Sequence, residues 1–137
     1  MADAGNTTTA IKAEQDRLCR VNSDWVAGGV SALSIHEIAA LMDGLKTLYD
    51  VTMGLICQPR FQDREQDSNR AGDVLDVLSN QFFLLRDELG KHLATLKAAG
   101  DFEPNQRFWA LVSRECDDMN DPATIVALAA GFVASKH

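Results

Sequence analysis

Residues 71–100 read AGDVLDVLSNQFFLLRDELGKHLATLKAAG, and the way their apolar positions recur decides the fold. Ala71, Leu75, Leu78, Phe82, Leu85, Leu89 and Leu96 keep near-heptad spacing, disturbed by His92 and Leu93, which marks one face of a helix rather than a strand. The spacing predicts a single helix of roughly 30 residues, about 45 Å long, stopped at Gly100. Its N-cap is available from Asp67, Ser68 or Asn69, at the end of the polar connector QDREQDSN.

The same period recurs on both sides. Upstream, Ile35, Ile38, Met42, Leu45, Tyr49 and Ile56 form a stripe, widened by Leu41, Leu48 and Leu55, while His36, Asp43, Lys46, Thr47 and Asp50 fall opposite. Ser34 and Glu37 fit a capping box at the start of this helix. Pro59 ends it, because a proline ring excludes the helical conformation from the residue before it. Downstream, Asp101 and Pro104 open a third helix with Phe108, Leu111, Val112, Cys116 and Met119 inward. Asp121 caps a last helix with Pro122 at its first position, and Ile125, Leu128, Ala129 and Phe132 face inward. The segment from Thr8 to Asn22 places Ile11, Leu18 and Val21 at helical spacing, and Gly28 and Gly29 break whatever precedes Ser34. The expected fold is all-α: an antiparallel bundle of four to five helices in one domain, residues 1–33 forming an N-terminal segment and 34–137 the bundle.

Composition fits that class. The chain has 137 residues, of which 46% are hydrophobic and 24% charged, so it resembles an ordinary globular domain rather than a disordered or fibrous one. A net charge of −7 repels a phosphate backbone. In the arginine-rich stretch PRFQDREQDSNR, Arg60, Arg64 and Arg70 are offset by Asp63, Glu65 and Asp67, so nucleic acid is not an expected partner. The apolar run IVALAAGFVA is about half the length a bilayer span needs, and MADAGNTTTAIKAEQ lacks the pattern of a signal peptide. No membrane association is expected, and the location implied is cytoplasmic. Cys19, Cys57 and Cys116 are odd in number and form no C-x-x-C pair, as expected of reduced thiols.

Several fragments of chemical motifs are present and incomplete. His36-Glu37 begins like the zinc-peptidase motif H-E-x-x-H, but the fifth position is Ala40, so the second imidazole is missing. Glu88 and His92 are four apart rather than the three of a di-iron Glu-x-x-His pair, and the first helix offers no inward carboxylate. They are expected to pair with each other across one turn. Glu115, Asp117, Asp118 and Asp121 in ECDDMNDP lack the glycine and distal glutamate of a calcium loop. Cys57 and Cys116 have no neighbouring histidine in sequence to activate them, and Gly28-Gly29 lacks the G-K-[ST] of a phosphate loop. No metal or other cofactor is expected.

Phe82-Phe83-Leu84-Leu85 stands out, because four consecutive large apolar residues cover almost the whole circumference of the long helix. Phe82 and Leu85 belong to its stripe, whereas Phe83 and Leu84 lie about 100–180° away, with Val77 on the Leu84 side. Val77, Phe83 and Leu84 are therefore the expected interface of a homodimer or with a protein partner. The function expected is that of a non-catalytic interaction protein, an adaptor, assembly factor or small regulator. The alternative is a small-molecule-binding or catalytic bundle with its pocket near Tyr49, Glu88, His92 and Trp109.

Overall fold

The computed structural model describes residues 24–118 and 121–135, together with Ala13 and Arg17. The expectations for Ile11, Leu18, Cys19, Val21 and Met119 lie outside these residues. A π-helical turn, Val26–Val30, leads into four α-helices: α1 (Ile35–Ile56), α2 (Arg70–Thr95), α3 (Glu103–Asp117) and α4 (Pro122–Ala134). The bundle expected from the periodicity is present, and no strand occurs among the described residues. The Gly28-Gly29 pair lies inside the π-helical turn instead of breaking it.

Helix α1 begins where the capping box puts it. The Ser34 hydroxyl accepts from the Glu37 N–H at 3.3 Å, and the Glu37 carboxylate accepts from the Ser34 N–H at 2.8 Å. Ile35, Ile38, Met42 and Leu45 are buried along its inner face. Thr52 continues that face, its hydroxyl satisfied by the Leu48 carbonyl at 2.7 Å, while Leu48 itself is exposed.

The connector to α2 is built rather than slack. Pro59–Phe61 form a 3₁₀ turn, Gln62 bridges to Ser68, and Asp63 Oδ1 accepts from the Glu65 and Asp67 N–H groups at 2.8 and 3.1 Å. Asn69 is the N-cap of α2: its side-chain oxygen accepts from Ala71 and Gly72, and its amide donates to the Arg60 carbonyl at 2.9 Å. Gly72 is required at this point, because a Cβ there would lie 2.5 Å from the Phe61 carbonyl oxygen.

Helix α2 corrects the sequence reading in two respects. It has 26 residues and ends at Thr95, short of Gly100, whose φ of 66° serves the following turn. Its last turn is closed by Arg107 of α3, which donates from Nη2 to the Ala94 carbonyl at 2.7 Å. Its buried face is also rotated by about 50° from the expected stripe. The core seam runs Gly72, Leu75, Ser79, Phe82, Arg86, Leu89, Leu93 and Leu96, alternately three and four apart, with Ser79 and Arg86 buried while Ala71 and Leu78 are exposed. The rotation has a physical cause. The absence of a side chain at Gly72 and Gly90 lets Phe61 and Arg114 approach closely, the buried Ser79 hydroxyl is satisfied by the Asp76 carbonyl at 2.8 Å, and Arg86 finds carboxylates at the end of α3.

The core joins Val30, Ile35, Ile38, Met42, Leu45, Leu89, Leu93 and Leu111, with α1 packed on α2 and α3 closing against both. Asp101 does not cap α3, whose N-cap is Phe102. Cys116, expected inward, is exposed, and Glu115 is buried in its place because Arg114 lies 3.5 Å from its carboxylate. Helix α4 is capped by Asp121 with Pro122 in its first turn, as expected, and packs on α3 with Phe132 stacked on Phe108 at 4.5 Å. Among the described residues no helix is long and apolar enough to cross a membrane.

Candidate functional sites

A network of charges joins α2 to α3. Arg86 Nη2 lies 2.6 Å from Asp117 and Nη1 3.6 Å from Asp118. Arg114 reaches Asp87 at 3.0 Å and Asp118 at 3.9 Å. Burial holds the Asp118 carboxyl above its ordinary pKa, and the two arginines pull it back only in part. Beside this network Lys46, Tyr49 and Phe83 complete a cleft of about 50 Å³. That is room for a water or two, not an organic substrate. The carboxylates of ECDDMNDP are thus committed to arginines and, at Asp121, to a helix cap; Asn120 lies outside the described residues. Among the described residues no three His, Cys, Asp or Glu side chains come together as a metal site requires.

The expected ligand residues are scattered. Tyr49 packs on Phe83, with ring centroids 6.0 Å apart. Glu88 does not pair with His92 but accepts from Lys91 at 2.8 Å; hydrogen bonds to Asp87 and then Glu88 raise the Lys91 pKa. His92 Nε2 is buried with no partner among the described residues. Trp109 is 66% exposed and meets the edge of Phe108. Of these four residues only Tyr49 lines either of the two cavities described. His36 is exposed, its Nδ1 2.9 Å from the Gln106 amide, and Cys57 and Cys116 are exposed free thiols.

The expected interface residues separate. Phe83 stands at the margin of the core because the seam is rotated toward it, and it retains 36% exposure beside Tyr49. Val77 is 49% exposed and Leu84 is half-buried. With Val74, which is exposed, and Gln81 these two trace a second three-and-four spacing along α2, roughly 150° from the core seam. Helix α4 offers another apolar face: no residue from Pro122 to Ala134 is charged or buried, and Val126 and Val133 are exposed.

The sequence reading missed a larger cavity of about 530 Å³ between α3, α4 and the segment following α2. Phe108, Leu111, Leu128 and Phe132 give it apolar walls, and Lys97 and Arg107 supply two cations. It could not be inferred from periodicity, because Lys97 lies beyond the end of α2 and Arg107 is about ten positions away on another helix. Comparisons with protein-family models, curated proteins and solved structures return no match, so only the molecule's own surfaces bear on what it does.

Proposed function

We propose that this chain is a non-catalytic helical interaction protein, an adaptor, assembly factor or small regulator, that works as a homodimer through α2. The observation that carries the reading is the second seam of that helix. Val74, Val77 and Leu84 repeat at the spacing of helix pairing, on a side of α2 away from its core seam where Val74 and Val77 are exposed and Leu84 is half-buried. A second copy brings the same seam, and apolar heptad positions from two identical helices interdigitate about a twofold axis. Phe83 contributes less than its neighbours, since it already packs on Tyr49.

Sedimentation equilibrium at micromolar concentration tests this. The wild type should be a dimer, and Val77→Asp and Leu84→Asp should each give a helical monomer, because an unpaired carboxylate in an apolar contact is costly. Val126→Asp, on α4, should leave the dimer intact. A wild-type monomer, or a dimer that yields to Val126→Asp and ignores Val77→Asp, would overturn the α2 interface.

A further inference from the structure

The cavity between α3, α4 and the segment following α2 has the size and lining of a ligand site. At about 530 Å³ it falls within the roughly 300–1,000 Å³ usual for small-molecule pockets. Such pockets combine apolar walls with a few convergent polar groups. Here the stacked rings of Phe108 and Phe132, with Leu111 and Leu128, form the apolar part. The charged groups are of one sign: Lys97 and Arg107 line the cavity, and no carboxylate among the described residues does.

That arrangement runs against the rest of the molecule. The chain carries 20 acidic and 13 basic side chains, and Lys46, Arg86, Lys91 and Arg114 are all ion-paired. Lys97 and Arg107 have no carboxylate partner among the described residues. Arg107 gives one Nη2 hydrogen to the Ala94 carbonyl, and its buried Nε has no partner there. A guanidinium has five donors, so most of its capacity to bind an oxyanion is unspent.

We propose that this cavity binds an amphipathic small molecule with an apolar body and one carboxylate, the body lying along Phe108, Leu128 and Phe132 and the carboxylate between Lys97 and Arg107. Lys97 is exposed, so the charged head stands at the rim and the apolar body enters toward buried Leu111. The opposing global charge makes the selectivity diagnostic. An acidic protein attracts a cationic amphiphile nonspecifically and repels an anionic one.

Isothermal titration calorimetry of the full chain with decanoate, decanol and decyltrimethylammonium, each below micelle formation, tests the site. Decanoate should bind one per chain, more tightly than either of the others, and more weakly as salt rises. Lys97→Gln should weaken it severalfold and Arg107→Gln about tenfold or more. Because Arg107 also closes the end of α2, a third variant narrows the cavity without touching a charge. A Cβ on Gly131, which lines the cavity, meets no atom within 4 Å, so Gly131→Leu should intrude on the apolar space and weaken binding severalfold while leaving the melting temperature unchanged or raised. Saturable decanoate binding unaffected by Gly131→Leu, equal affinity for decanol, preference for decyltrimethylammonium, or no saturable binding would each overturn the proposal.

Discussion

Replacing Arg86 with Met tests whether charge, and not only shape, holds α2 to α3. Arg86 is 5% exposed and sits in the core seam, with Asp117 at 2.6 Å and Asp118 at 3.6 Å. Removing one member of a fully buried ion pair costs about 3–5 kcal/mol, most of it the penalty of the charge left behind. The cost here should be lower. The Asp117 side chain is 30% exposed and can turn to water, Asp118 keeps Arg114 at 3.9 Å, and Met retains much of the apolar stem. A loss of about 2–3 kcal/mol at neutral pH is expected. The pH dependence follows from Asp118. Its folded pKa is raised by burial and lowered in part by Arg86 and Arg114, so the native state binds its proton more tightly than the unfolded chain does. That contribution to stability is full below the ordinary carboxyl pKa, about 4, and is lost as pH rises through the folded value. Without Arg86 the folded value climbs further, so the deficit of the variant should be largest near neutrality and narrow as pH falls toward about 4.5. Adding Asp118→Asn should restore part of the loss. Urea unfolding followed by circular dichroism at both pH values is the assay; a deficit under about 1 kcal/mol, or one independent of pH, would refute the reasoning.

Glycine substitutions should change sign with position: Gly72→Ala must displace the Phe61 carbonyl and should destabilise by about 1–2 kcal/mol, whereas Gly44→Ala, exposed on α1 with open space at its Cβ, should stabilise by up to about 1 kcal/mol. Thermal melts of the two variants decide it, and parallel shifts would contradict the packing described. Ser34→Ala removes the α1 cap and should cost about 1 kcal/mol, against under about 0.5 for His36→Ala. The hydrogen bond from the Ser34 backbone, then that from its hydroxyl, hold the Glu37 carboxyl below its ordinary pKa. The capping box therefore adds stability above the unfolded carboxyl pKa and loses it as pH falls through the folded value; unfolding curves at acid and neutral pH should show a smaller acid loss in Ser34→Ala.

Local chemistry made the starts of α1, α2 and α4 legible, because Ser34 with Glu37, Asn69 and Asp121 with Pro122 each specify a helix start within a few residues. The end of α2 was not legible. Gly100 is the expected stop signal, yet the helix closes at Thr95 on an arginine from α3, a partner that no local pattern can announce. The rotation of α2 has the same origin. Counting large apolar residues selects Leu78 and passes over Ser79 and Arg86, whose burial depends on an adjacent carbonyl and on carboxylates 31 and 32 positions away. In a core seam built partly from small and charged residues, the spacing of Gly72, Ser79, Arg86 and Leu93 carries the information that hydrophobicity hides.

That rotation also redistributes the functional reading. With the seam passing through Arg86, Phe83 is drawn to the edge of the core, while Val77 and Leu84 remain on the far side of the helix. The four-residue cluster Phe82–Leu85 therefore divides between two jobs, three side chains anchoring or flanking the core and one aligning with Val74 and Val77. The charges divide in the same way. Arg86 and Arg114 are consumed in holding α3 to α2, and Arg107 closes the end of α2 with one of its donors. Arg107 also lines the larger cavity together with Lys97, so the proposed oxyanion site draws on the two cations there that no carboxylate among the described residues ties up.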